Sequence, residues 1–246
     1  MRVLVVDVGN SRIKAGLFVE FYLPEVRVIE NLDELPGWAD EADAIAISSV
    51  VPQITKNLEE TLPSALILKE DNSGIRIFYR EPARLGSDRI ANALYVRHFL
   101  GQRTILADVG TAVTVDSIGE DGTFYGGVIF PGPGLALGSL GARTGALPRI
   151  DLTDEPVGPL GRDTEAGMRS GVLWSVAFAI EGFARAQANF LGWERYRLLL
   201  TGGLGKLIRP MLKARCSVET HATLLGLGAW AQELARKGEL PHRDSS

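Results

Sequence analysis

The sequence predicts an α/β fold made of two related halves. Three observations carry that prediction. Short β-branched runs alternate with helical stretches, an Asp-Val-Gly turn recurs about half a chain apart, and 246 residues suffice for one large domain or two half-size ones. The strand-like runs fall at residues 3–6, 44–48, 65–68, 104–107, 112–115, 124–129 and 197–200. Lengths of about 4–8 residues, rich in Val and Ile, favour strands over helices.

Helical periodicity fills the gaps. Residues 88–100 place Ile90, Ala93, Leu94, Arg97 and Leu100 at spacings of three and four. A longer stretch runs over 164–191, with Thr164 as its N-cap and Glu165 in its first turn. Gly167, Gly171 and Gly182 inside it predict a break or a close helix contact. A third helix covers 222–236 and ends before Gly238, with a frayed tail beyond. The echo that divides the chain reads VVDVGNSRIKAG at 5–16 and LADVGTAVTVDS at 106–117. It predicts two domains, residues 1–103 and 104–246.

Composition narrows the function. Hydrophobic residues make up 46% and charged residues 23%, which excludes disorder, coiled coil and collagen. Lys and Arg number 26 against 30 acidic residues, a net charge of −4, so no basic excess points to nucleic acid or an anionic membrane. Cys216 is the single cysteine, and His98, His221 and His242 are scattered, which argues against a disulfide or a thiolate or histidine metal cluster. The opening apolar run stops at Asp7, short of the roughly 7–15 apolar residues of a secretory core, and no run approaches the ~18 of a membrane span. The expected location is the cytoplasm.

An apolar strand ending in Asp-x-Gly and a small polar residue suits phosphate binding. Glycine lets backbone N–H groups approach an anion, and the short polar side chain adds a donor. The carboxylate holds a divalent cation or its waters, which then bridge to the phosphates. Two such turns across a cleft would grip a nucleoside triphosphate: Asp7, Gly9, Asn10 and Ser11 on one side, Asp108, Gly110 and Thr111 on the other. Lys14 lies close enough to reach a phosphate or to stand as a solvated strand residue. Gly202-Gly203, after an apolar strand, suits a flat base, although such pairs also mark ordinary turns. Gly202–Lys206 is too short for a phosphate loop, and Gly132, Gly134 and Gly138 miss the dinucleotide spacing by one residue.

Taken together, these turns resemble the phosphate-1, phosphate-2 and adenosine signatures of the acetate/sugar kinase, Hsp70 and actin superfamily. Within it the chain resembles the type III pantothenate kinases, through an ordered set of motifs. These are DVGNS at 7–11, SSVVP at 48–52, LGSDRIANA at 85–93, DVGTAVTVD at 108–116, GGVIFPG at 126–132, LPRIDL at 147–152, GRDTEAGMRSG at 161–171 and TGG at 201–203. The resemblance implies two actin-like (ribonuclease H-like) domains with a nucleotide cleft between them. It implies ATP-dependent phosphorylation of pantothenate, the first step of coenzyme A synthesis. Where relatives carry Asn before Pro82, this chain has Glu81, and its segment between Gly16 and Ala44 is shorter.

The resemblance also distributes roles. Asp88 becomes the general base, where the residues alone suggest an N-cap before Ile90. Arg89 pairs with the pantothenate carboxylate or the transferring phosphoryl, and Tyr79, Gly86, Ser87 and Thr164 join it at the substrate pocket. Asp116 sits by a monovalent cation, K⁺ or NH₄⁺, and Asp7 serves Mg²⁺ through the phosphates. Residues 126–145 are expected as a loop at the cleft mouth, flanked by Arg143 and Arg149. Relatives are homodimers, and the helix from Glu165 is the expected dimer face through Met168, Val172, Leu173, Trp174, Val176 and Phe178. The alternatives are a non-catalytic accessory relative with the same fold, or a superfamily kinase acting on a sugar or carboxylate.

Overall fold

The computed structural model describes residues 1–153, 155 and 157–240; His242 and the tail expected to fray lie outside them. Two five-stranded sheets organise the chain. The first contains β1 (Arg2–Val8), β2 (Ile13–Val19), β3 (Val26–Ile29), β4 (Ala44–Ser49) and β5 (Leu66–Ile67), in the order β3-β2-β1-β4-β5. β1 pairs antiparallel with β2 and parallel with β4. One face buries Leu4, Val6, Val8, Ile45 and Ile47 with Leu35 of helix α1 (Leu35–Ala39) and Leu58 of α2 (Pro52–Thr61). The alternation along β1 sends Asp7 to the opposite face.

The segment expected as one helix over 88–100 is two. Helix α3 (Ser87–Tyr95) passes into a single wider π turn, Val96–Leu100, which stops at Gly101 with φ 57°. Gly86, not Asp88, is its N-cap.

The second sheet repeats the plan: β6 (Thr104–Val109), β7 (Ala112–Ile118), β8 (Phe124–Pro131), β9 (Arg197–Thr201) and β10 (Cys216–Val218), in the order β10-β9-β6-β7-β8. β6 pairs antiparallel with β7 and parallel with β9, as β1 does with β2 and β4. Residues 126–145 are not a loop. They finish β8 and form α4 (Pro133–Arg143), whose proline stands at a helix start, where its missing N–H costs nothing.

Helix α5 (Thr164–Phe190) runs unbroken for 27 residues. Its cap is Asp163, whose carboxylate accepts from Ala166 N–H at 2.8 Å, so Thr164 is the first helical residue. The expected break at Gly167, Gly171 and Gly182 does not occur, and each glycine faces open space. Val176, Ile180 and Ala184 of α5 bury against Ile105, Ala107 and Val113 of the sheet. The short α6 (Gly205–Ile208) follows β9, and α7 (Ala222–Lys237) ends the described chain with Gly238 at φ 73°.

Two compact units result. One comprises Met1–Gln102, Gly119–Tyr125 and the chain from His221; the other comprises Arg103–Ile118 and Gly126–Thr220. The division expected at 1–103 and 104–246 therefore differs in its second part, because α7 packs in the first unit. It lies on α3, β1 and β2 so closely that a Cβ on Gly226 would strike the Ala91 carbonyl of α3, and one on Gly228 the Phe18 ring of β2. Among the described residues, no helix is long and apolar enough to cross a membrane.

Because the obstruction at Gly226 is backbone, it cannot rotate away. Gly226→Ala is expected to destabilise the first unit by about 1–3 kcal/mol or more, read as a lower urea midpoint for that unit. An unchanged midpoint would refute the close packing.

Candidate active site

In the first unit, Asp7 is the last residue but one of β1, with Lys14 opposite it on β2 and Ser48 beside it on β4. Register partners share a sheet face, so a carboxylate, an ammonium and a hydroxyl emerge together. The next four residues, Gly9 to Arg12, form the hairpin loop, closed by Gly9 N–H donating to the Arg12 carbonyl at 3.1 Å. Asn10 and Ser11 are exposed on it.

The start of α3 joins this strand end. The Ser87 hydroxyl accepts from Ser49 N–H at 2.8 Å, donates to the Ser49 carbonyl at 3.0 Å and lies 3.1 Å from the Ser48 hydroxyl. Its one hydrogen is thereby used, and Ser87 ties helix to strand. Asp88 follows, its Oδ1 accepting from Arg89 N–H at 2.8 Å. A Cβ on Gly86 would collide with that oxygen, so glycine there leaves room for the carboxylate to fold back over the helix start. Burial pushes the Asp88 carboxyl above the ordinary aspartate range, against the lowering pull of the Arg89 N–H and guanidinium.

Arg89 is 5% exposed. Its guanidinium lies 5.1 Å from the Phe124 ring centre and 5.9 Å from that of Tyr79, two rings that meet edge-on at 6.2 Å. Tyr79 is thus half-buried beside Arg89 and helps form its wall.

In the second unit, Asp108 takes the place that Asp7 has in the first, with Thr114 and Thr201 as its register partners. Both threonine hydroxyls are buried without a hydrogen-bond partner among the described residues. One carboxylate flanked by two such hydroxyls is a hard-oxygen set that fits a hydrated divalent cation. The loop here is shorter, Gly110 to Ala112, closed by Gly110 N–H to the Ala112 carbonyl at 3.1 Å. Gly202, at φ 83°, presses on it: a Cβ would meet the Asp108 carboxylate and the Val109 backbone. Gly132 donates to the Thr111 carbonyl at 2.9 Å from the other direction. Gly203 faces open space.

Asp116 lies inside β7, fully buried, on the same face as Asp108 and Thr114. Gly127 leaves room for its carboxylate and for the Val115 carbonyl, oxygens of the kind that suit a weakly hydrated cation. No group of three or more His, Cys, Asp or Glu side chains converges on a metal position among the described residues.

The structure thus brings Asp7, Lys14, Tyr79, Gly86, Ser87, Asp88 and Arg89 into the first unit. Asp108, Gly110, Thr111, Asp116, Thr164, Gly202 and Gly203 belong to the second. Thr164 is exposed in the first turn of α5, and Arg143 and Arg149 are exposed at and beyond the end of α4. The expected dimer stripe on α5 is largely internal: Met168, Val172, Leu173 and Val176 are buried, and Trp174 donates to the Val157 carbonyl at 3.1 Å. Phe178, 57% exposed, Phe183 and, at the helix end, Phe190 are the aromatics it leaves to solvent. Sequence reasoning assigned no role to Ser48, Ser49, Thr114 or Thr201. The SSVVP run and the threonine before Gly-Gly were visible, but what they touch depends on strand register.

The type III pantothenate kinase family matches residues 3–186. A type III pantothenate kinase of Desulfatibacillum aliphaticivorans is 31% identical over 91% of this chain and 95% of its own. One of Thermomicrobium roseum is 31% identical over 95% of this chain and 98% of its own. Among solved structures, a conserved Baf family transcriptional activator from Campylobacter jejuni, so titled as putative, shares the fold with a TM-score of 0.68 at 18% identity. It covers 95% of this chain and 99% of that one. The paired sheets place the protein in the α/β class, and by the family match and these relatives the chain belongs to the type III pantothenate kinase family.

Proposed function

We propose that this kinase transfers the γ-phosphoryl group of ATP to the primary hydroxyl of pantothenate, giving 4'-phosphopantothenate for coenzyme A synthesis. The observation that carries the reading is Asp88, desolvated at the start of α3 beside a buried Arg89, in a chain of this family. The pantothenate oxygen bonds to phosphorus, the bond to the ADP oxygen breaks, and the hydroxyl proton passes to Asp88. Phosphoryl transfer of this kind depends mostly on positioning and charge neutralisation. A raised carboxyl pKa makes Asp88 a better proton acceptor.

Arg89, held rigid between Phe124 and Tyr79, supplies a fixed cation for the acceptor carboxylate or the moving phosphoryl. Tyr79 and Gly86 line the acceptor pocket in the first unit. Asp7, Gly9, Asn10, Ser11 and Lys14 are the phosphate-holding elements of the first unit, and Asp108, Gly110 and Thr111 those of the second, with Gly202 and Gly203 at adenosine. Asp108 with Thr114 and Thr201 would hold the Mg²⁺ that comes with ATP, Asp7 would serve it through the phosphates, and the ion would supply neutralisation of phosphate charge. Asp116 serves K⁺ or NH₄⁺. A cytoplasmic homodimer completes the proposal, meeting through the open α5 face around Phe178.

ATP, Mg²⁺ and pantothenate are expected to yield phosphopantothenate with K⁺ or NH₄⁺ and much less with Na⁺. No product from folded protein would favour an accessory role or another acceptor, and equal rates in Na⁺ would remove the cation site. Asp116→Ala is expected to raise the K⁺ concentration needed for half-maximal rate, and an unchanged K⁺ curve would oppose the assignment.

Asp88→Asn should cost about 10²–10⁴-fold in kcat. In wild type, activity should fall as pH drops through the raised Asp88 pKa, so the acid limb lies above the usual ~4. The stability effect has the opposite sign. Between the unfolded and the raised folded pKa the native state binds more protons, so stability declines as pH rises through that window. Asp88→Asn should therefore melt higher than wild type at pH 8, with the difference shrinking toward pH 4. A variant that melts lower at pH 8 would contradict the desolvated carboxylate.

A further inference from the structure

The SSVVP run received no role from the phosphate grip or the acceptor pocket, yet its first three residues meet both catalytic segments of the first unit. Ser48 lies in register with Asp7 on β1, and Val50 N–H donates to the carbonyl of Val8, the next residue, at 3.1 Å. On the other side, Ser49 offers both its N–H and its carbonyl to the Ser87 hydroxyl, at 2.8 and 3.0 Å. Ser87 therefore has its hydrogen committed, and the contact with Ser48 at 3.1 Å is completed by the Ser48 hydroxyl donating. Ser48 is fully buried and Ser87 is 7% exposed, so water does not substitute for these bonds. A Cβ on Gly86 would lie against Asp88 Oδ1 and 3.4 Å from the Val50 side chain, which places the folded-back carboxylate over this same strand end.

We propose that Ser87, completed by Ser48, is a positioning residue for Asp88, fixing its carboxylate relative to the phosphate turn that follows Asp7. This rests on Asp88 acting as the base. A rigid strand, a saturated hydroxyl and the first turn of α3 form one short mechanical path from one catalytic segment to the other. Displacing a reacting group by about 1 Å can cost on the order of 10²-fold in rate, so a modest shift of the helix start is felt in kcat before binding.

The test is a double-mutant cycle on the full chain, with kcat, pantothenate KM and ADP affinity measured for Ser87→Ala, Asp88→Asn and the pair. Ser87→Ala is expected to lower kcat by about 10–100-fold, with ADP affinity and pantothenate KM within about threefold of wild type. In the Asp88→Asn background the same change should leave the residual kcat unaltered, because there is no longer a carboxylate to position. Ser48→Ala should move kcat in the same direction by a smaller factor, and it carries the cycle if circular dichroism finds Ser87→Ala unfolded.

Wild-type kcat in the serine variants overturns the proposal. So does an equal fractional loss in both backgrounds, which marks the serines as general structural supports. Near-normal kcat in Asp88→Asn alone removes the base assignment itself, and the positioning role with it.

Discussion

A carboxylate and a guanidinium adjacent in sequence, both drawn out of water at the start of α3, set the terms for the first unit. Each buried charge carries a desolvation cost of several kcal/mol unless its surroundings answer it. The surroundings here are specific. Arg89 is walled by Phe124 and Tyr79, and the carboxylate rests on a glycine with a backbone donor beside it. This explains why the short segment Gly119–Tyr125 leaves its own half of the chain. Phe124, with no exposure at all, is held by hydrogen bonds of 2.8 Å to Arg76 and Phe78, so the ring reaches the arginine on a rigid bridge.

The two sheets share one plan and have been put to different uses. In each central strand the last residue but one is an aspartate, followed by Val-Gly. In the first, its register partners are a lysine and a serine, and the loop has four residues; in the second, they are two threonines, and the loop has three. One turn therefore presents mobile positive charge, and the other a compact oxygen surface, from the same topology. Glycines crowd the second turn from two directions, Gly202 and Gly132, where the first is bounded by β4 and the hydroxyls of Ser48 and Ser87.

Much of this was readable from sequence wherever the signal was local. Apart from β2, whose IKAGLFV is interrupted by Lys14 and Gly16, the long strands announced themselves through apolar runs, and the duplicated Asp-Val-Gly marked both turns. Strands β3 and β10, of four and three residues, had too little pattern to stand out. The N-cap of α5 was misplaced by one residue because Asp163 and Thr164 are both good caps, and only the bond to Ala166 separates them. Residues 126–145 read as a loop because glycine and proline were weighed by number. Pro133 opens α4, and the glycines that follow sit inside the helix. Longer-range facts left no trace in any window of sequence. The return of α7 to the first unit and the Ser48–Ser87 contact depend on residues far apart in the chain.

That return has a consequence for how the protein is made. β1 leaves the ribosome before the helix that covers its Asp7-bearing face, with the second unit's strands synthesised in between. Domains often fold during synthesis as soon as their residues emerge. Here the second unit has all its strands before α7 exists, whereas the first waits with apolar surface uncovered until α7 follows. Nascent chains stalled before residue 222 would thus carry a finished second unit and an unfinished first. The core between β1 and α7 therefore closes only by a contact between segments that are far apart in synthesis.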